Sequence, residues 1–338
     1  MNIKPRKLEY GDTIGIISPS DPVNPKLFQK RISRATNALE KIGFKVKFGK
    51  SVYGTKSAIH TAKNRALDIN NMFKDDSIKA ILTTWGGLCS NQTLPYLDFE
   101  LIKHNPKIIV GYSDTTILLN AIFAKTNLIT FHGPALLKEF GEFPTPLEYT
   151  LQSFEKTLMK SNIIGTLKPP SHWTDETLYW DKEDYKRPRK LMTNRDWYFI
   201  GSGKTTGHLI GGNIDTFVAL TGTEFIPKTK GAILLLEDNV LKNQDIRSIV
   251  KNLTHIEQTG IFRDINGIIL GKFSNCIPQT QRIIESILVN LVNKYNYPIV
   301  TEVDFGHTDP KLTLPIGINI EINTKKKKIS ILENAVKS

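Results

Sequence analysis

Only two cysteines occur among the 338 residues, Cys89 and Cys276, and they lie far apart. That excludes a disulfide framework and leaves no CxxC spacing for a metal. No run of about 18 apolar residues is present, which excludes a membrane-spanning helix. The opening segment MNIKPRKLEYGDT carries basic residues with no apolar stretch behind them, so it does not read as a secretory signal. Internal repeats and low-complexity tracts are missing, as are HExxH and any paired Cys/His spacing for zinc. These absences point to a cytoplasmic protein, off the membrane, with no zinc site.

What is present is ordinary for a globular protein. Hydrophobic residues make up 40% and charged residues 23% of the chain. The length suits two domains, each with its own core. Lys and Arg number 45 against 33 Asp and Glu, a formal net charge of +12. Such an excess draws anionic partners without naming them. The basic residues are dispersed and no nucleic-acid module accompanies them, so nucleic acid is not the expected partner; a small anionic substrate suits the charge as well. The densest basic run, Lys325 to Lys328, lies beside ISILEN and reads as the solvated edge of a hairpin.

The first half alternates apolar strands with helical patterns. TIGIISPS reads as a buried strand running into a loop, and LFQKRISRATNALEKIG as a helix closed by Gly43. FKVKFGK, KAILTTWGG and KIIVGYS are further strands; TAKNRALDINNMFKD and TTILLNAIFAKTN are further helices. This alternation predicts βαβ units and a mostly parallel sheet. Ligands of such sheets sit beyond the carboxyl ends of the strands, which singles out the loops SPSDP, WGGLCSN and GYSD. From about Pro169 to Gly207 the periodicity stops, and three of the four tryptophans fall there. A long aromatic loop is more often functional than a bare linker. Regular α/β patterning resumes at HLIGGNIDTFVALTG. The expected organisation is therefore 1–168 as one α/β domain, 169–206 as a mobile substrate-contacting insert, and 207–338 as a second α/β domain.

A serine hydroxyl attacks only when a base takes its proton and fixed donors stabilise the oxyanion. Ser113, in Gly111-Tyr112-Ser113-Asp114-Thr115-Thr116, sits between an apolar strand and an apolar helix, the setting of a nucleophile elbow. It lacks the second glycine of GxSxG. Ser113 or Asp114 could equally cap the following helix. Gly86-Gly87 ends a strand at the same sheet edge, where glycine lets backbone amides approach a ligand, or simply makes a tight turn. His307 follows the strand YPIVTEVDFG. Glu237 ends the apolar strand AILLLED, where a carboxylate is costly without a partner. GSGKTT at 201–206 imitates the end of a P-loop, but the required first glycine is replaced by Tyr198 and no suitable helix start follows.

The segments GDTIGIISPS, WGG with SNQTLPYLD, VGYSDTT, FHGP, GHLIGGNIDTF, LLLED and FGHTDPKLTLPIG occur in the order of the LD-carboxypeptidase serine peptidase family. The chain resembles that family from about residue 8 to about residue 320. The resemblance implies a Rossmann-like N-terminal domain with a parallel sheet plus a smaller C-terminal α/β domain, with the site in the cleft between them. It implies a Ser-Glu-His triad on Ser113, Glu237 and His307, and an oxyanion hole from the backbone amides of Gly87 and Asp114. It further implies no cofactor or metal, and a homodimer.

Within the family the chain is similar to the microcin C self-immunity peptidase branch, because the short murein-recycling enzymes lack the insert before GHLIGG. In that branch a tryptophan matching Trp180 stacks on the adenine of the substrate; anchoring of the loop is the plainer role. Asn213, also similar to that branch, would bind substrate from the cleft wall or act as a turn residue. Leu88 and Cys89 depart from the tyrosine and glycine usual in the family, and Cys89 is expected as a small buried residue. The resemblance implies amide hydrolysis in a peptidyl or aminoacyl nucleotide such as processed microcin C. Release of terminal D-Ala from murein tetrapeptides is the alternative substrate. A non-catalytic peptide- or nucleotide-binding module is the alternative of another class.

Overall fold

The computed structural model describes residues 2–54, 60–240 and 242–338. Strands β1 (Thr13–Ile17), β2 (Lys45–Phe48), β3 (Ile78–Thr83), β4 (Ile108–Gly111) and β5 (Thr130–His132) form a parallel sheet in the order β5-β4-β3-β1-β2. The helices between them are α1 (Gln29–Ile42), α2 (Ala62–Lys74), α3 (Phe99–His104) and α4 (Thr115–Thr126). Helix α1 buries Ala35 and Leu39 on one face and stops at Gly43, whose φ of 108° is left-handed. Thr61 caps α2 by accepting from the Asn64 amide at 3.2 Å. Helix α4 is apolar on nearly all sides and correspondingly buried. Its one buried amide, Asn120, exchanges hydrogen bonds of 2.9 Å with the backbone of Gly211, and so docks α4 onto the second sheet.

That second sheet has a parallel centre of Lys204–Asn213, Ile233–Glu237, Gly267–Gly271 and Ile299–Val303. Antiparallel neighbours flank it: Tyr198–Ile200 on one side, and on the other the hairpin Asn319–Asn323 with Lys328–Ile331. The lysine-rich turn is thus the exposed tip of a hairpin. Strand Leu314–Ile316 leaves this half and pairs antiparallel with β5, at the edge of the first sheet. One continuous apolar core spans both sheets. The fold is thus two-part α/β with parallel-centred sheets, as the alternating pattern predicts.

The 169–206 stretch holds only short strands, with His172–Trp173 paired to Met192–Thr193. It is nevertheless pinned. Asp184 is buried against Arg31 and Arg34 of α1, and Arg189 pairs with Glu142 at 2.7 Å and Asp309 at 3.0 Å. The expectation of a mobile insert overlooked these partners. Gly201 and Gly203 turn directly into the strand Lys204–Asn213, so no helix follows them as a P-loop needs.

Candidate active site

Ser113 follows β4 at the carboxyl edge of the first sheet, and its φ is +61°. A non-glycine residue in that region marks a tight, strained turn. Its carbonyl accepts the Thr116 amide at 2.9 Å, so α4 begins immediately behind it. Asp114 occupies the N-cap position but its side chain makes no capping bond. Instead its carboxylate accepts from Ser20 Oγ at 2.6 Å and the Ser90 amide at 2.8 Å. The loops after β1 and β3 are thereby tied behind Ser113, and the capping alternative falls away for Asp114.

Ser113 Oγ lies 3.0 Å from His307 Nε2, and His307 Nδ1 lies 2.7 Å from Glu237 Oε2. The carboxylate can only accept, so Nδ1 carries the proton and Nε2 is left to accept from the serine hydroxyl. Glu237 is fully buried. Burial pushes its pKa up, but the charge and hydrogen bond of His307, with His132 and Lys311 near by, outweigh it and hold the group down to about 2. It stays ionised beside the imidazole. Asp238 next to it shows the opposite result: burial, then the charge of Glu237, push it up to about 6. Near His307, His132 Nε2 donates to the Phe305 carbonyl at 2.9 Å, and burial lowers its pKa to about 4, so it is neutral near pH 7.

Gly86 and Gly87 border the same space. A Cβ on Gly86 would fall 2.6 Å from Ser113 Oγ and 3.4 Å from the Asp114 amide nitrogen. Gly87 has a φ of +138°, and a Cβ there would meet Asp21 at 2.6 Å. Gly86 is therefore required by the close approach of backbone to the Ser113 hydroxyl, and Gly87 by its positive φ and the nearness of Asp21.

A cavity of about 230 Å³ opens onto Ser113 and His307, bordered by Trp85, Gly87, Lys138 and Trp180. A second, of about 170 Å³, shares Lys138, Trp180 and His307 and continues towards Arg31 and Arg189. Trp180 packs with Trp85 and Phe28 at ring separations of 5.5 and 5.4 Å, and the Arg31 guanidinium lies 4.4 Å from its ring centre. It is both a loop anchor and a wall of the cleft.

Asn213 is buried with its side chain engaged internally. Nδ2 donates to Asp238 at 3.0 Å, and Oδ1 accepts the Thr216 amide at 3.2 Å, capping the short helix Ile214–Val218. Cys89 is exposed, contrary to expectation, because its left-handed backbone (φ 70°) at the start of the turn Ser90–Tyr96 leaves it at the surface.

Sequence reading passed over Trp85 and Lys138. Trp85 could have been found from its place directly before the glycine pair at a strand end; Lys138 gave no signal in the sequence. Among the described residues no group of three or more His, Cys, Asp or Glu could hold a metal ion.

Residues 14–133 match the LD-carboxypeptidase N-terminal domain, and residues 206–322 match the LD-carboxypeptidase C-terminal domain. The Microcin C7 self-immunity protein MccF of Escherichia coli is 39% identical, with 96% of this chain and 94% of that protein covered. The structure of MccF in complex with aspartyl sulfamoyl adenosine superposes with a TM-score of 0.91 at 37% identity, covering 99% and 100% of the two chains. MccF in complex with glutamyl sulfamoyl guanosine gives the same TM-score of 0.91 at 37% identity, covering 99% of each chain. A Bacillus subtilis (strain 168) protein named "Probable murein peptide carboxypeptidase" is 30% identical over 97% of this chain and 93% of its own length.

Proposed function

The chain belongs to the LD-carboxypeptidase family of serine peptidases, and from that premise we propose that it hydrolyses the amide bond of a peptidyl or aminoacyl nucleotide, using Ser113, His307 and Glu237 as nucleophile, base and orienting acid. The observation that carries the reading is the unbroken hydrogen-bond chain from Ser113 Oγ through His307 to Glu237. His307 Nε2 takes the hydroxyl proton as Ser113 attacks the carbonyl carbon. Glu237 fixes the tautomer and stabilises the imidazolium that forms. The amides of Gly87 and Asp114 receive the developing oxyanion. His307 then gives its proton to the leaving nitrogen, and water attacks the acyl-enzyme by the same route in reverse.

Two features support a nucleotide-bearing substrate. Trp85 and Trp180 offer aromatic surface beside the nucleophile, and base stacking on such surface is sequence-tolerant. MccF, whose solved complexes carry aminoacyl sulfamoyl nucleosides, shares the fold from end to end. A substrate role for Asn213 would have to recruit a side chain that already caps a helix, so Trp180 is the contact to test first. The proposal includes a cytoplasmic location and a homodimer; sedimentation of the purified protein checks the dimer.

Ser113→Ala should abolish cleavage of an aspartyl-nucleotide conjugate, by about 10⁴-fold or more, with an unchanged unfolding curve. Near-normal turnover by that variant would refute the assignment. The second reading, release of terminal D-Ala from a murein tetrapeptide, is favoured by the murein-peptide relative. Mass spectrometry of products from both substrates decides between them. A non-catalytic binding module would leave Ser113 unlabelled by a fluorophosphonate.

A further inference from the structure

A buried ion network runs beneath the site. Arg31 pairs with Asp184 at 2.5 Å, Arg189 with Glu142 at 2.7 Å and Asp309 at 3.0 Å, and Lys311 with Glu139 at 2.8 Å; Arg34 also reaches Asp184. Four cations thus face four anions. Lys138 is a fifth cation at the same place. Its backbone is held rigidly, since Arg31 donates to the carbonyls of Leu137 at 2.6 Å and Lys138 at 2.7 Å. Among the described residues its ammonium forms no ion pair and makes one hydrogen bond, to the His307 carbonyl at 2.9 Å. Two of its three N–H donors are left over. Lys138 also borders both cavities that reach His307, one of which opens onto Ser113.

A half-buried ammonium with no carboxylate in direct contact is costly to hold: burial lowers its pKa, with Lys311 and Arg189 adding to this against the opposing charges of Asp309 and Glu139. An anion entering the cleft would remove that cost. We propose that Lys138 is a specificity-determining residue that pairs with an anionic group on the substrate beside the scissile carbonyl. This deepens the reading above and rests on it. The anion has two possible sources, a carboxylate on the acyl residue or a phosphoryl group on the leaving side. The aspartyl and glutamyl ligands of MccF carry the first.

The test compares four substrates: aspartyl and asparaginyl amides of 5′-amino-5′-deoxyadenosine, and the same acyl groups on adenosine 5′-phosphoramidate. In Lys138→Met, kcat/KM should fall about 10- to 100-fold for both aspartyl substrates and little for the asparaginyl pair. Lys138→Arg should restore most of the loss. A loss confined to the phosphoramidates places the anion on the leaving side and keeps the proposal. Equal loss on all four substrates overturns it, because Lys138 would then act only through the His307 carbonyl; so does no loss at all.

A second measurement does not depend on those conjugates being substrates. Succinate should protect Ser113 from fluorophosphonate labelling better than succinamide in the wild type, and equally poorly in Lys138→Met. Selective protection without conjugate cleavage would sink the functional reading and leave the lysine assignment standing. If neither conjugate selectivity nor selective protection is seen, the lysine assignment falls.

Discussion

Ser113 stands in a conformation that few residues other than glycine adopt, and the space it needs is made by another residue having no side chain at all. Gly86 is the sharpest case. Its backbone φ is not in the left-handed region, so alanine there meets a purely steric obstacle, Ser113 Oγ at 2.6 Å. Gly86→Ala should therefore cost at least 10-fold in kcat while shifting the unfolding midpoint only slightly; equal damage to both would show that the glycine serves the fold. A second residue-scale expectation concerns pH. The folded pKa of Asp238, about 6, lies above its ordinary 3.8, so the folded protein holds this proton more tightly than the unfolded chain. The stabilisation is complete below 3.8 and is lost as pH rises through about 6. Asp238→Asn should accordingly unfold at a higher temperature than wild type near about pH 8 and lose that advantage near about pH 4, as scanning calorimetry can show. Ser113, Glu237 and His307 were legible as candidates because each ends or follows an apolar strand, and strand ends are where such sheets place their chemistry. Lys138 was not. Its meaning comes from a charge balance assembled by Arg31, Asp184, Arg189 and Asp309, which the sequence scatters across the chain.

At the scale of elements, the alternation of strand and helix in the first half was fully readable, down to Gly43 closing α1. The insert was readable only as a break in periodicity. Its anchors pair residues very distant in sequence, 153 positions apart for Arg31 and Asp184, and no local pattern can announce them. Those anchors make a prediction. Removing the Asp184 carboxylate would leave two arginines, one of them fully buried, without their shared partner. Asp184→Ala should destabilise the protein by about 3–5 kcal/mol. It should also open 169–206 to limited proteolysis before the rest of the chain. Since Trp180 sits in the same insert, nucleotide-conjugate KM should rise more than kcat falls. Cleavage elsewhere first, or an unchanged KM, would show that the ion pair does not hold the insert in place.

For the whole molecule, two α/β patterns in series suggest two bodies that could part, yet the chain crosses between them repeatedly. Strand Leu314–Ile316 closes the edge of the first sheet, where Leu314 faces His132 in register. Near the two ends of the chain, the Lys7 amide donates to Lys337 at 2.8 Å and the Lys337 amide to Pro5 at 2.9 Å. Asn120 stitches α4 to the strand Lys204–Asn213, and the apolar core is continuous across both sheets. The hydrogen-bonded set is itself split, with Ser113 at the edge of the first sheet and Glu237 and His307 on the second half. Separating the halves would expose β5 as a bare edge and break the core, so neither half has a stable state of its own to populate. Urea unfolding should therefore be one transition, with tryptophan fluorescence, far-UV circular dichroism and loss of fluorophosphonate labelling at Ser113 coincident at the same midpoint. Loss of labelling ahead of the two spectroscopic signals would mean that the halves separate first, and that the strand crossing and shared core are too weak to bind the site into a single cooperative unit.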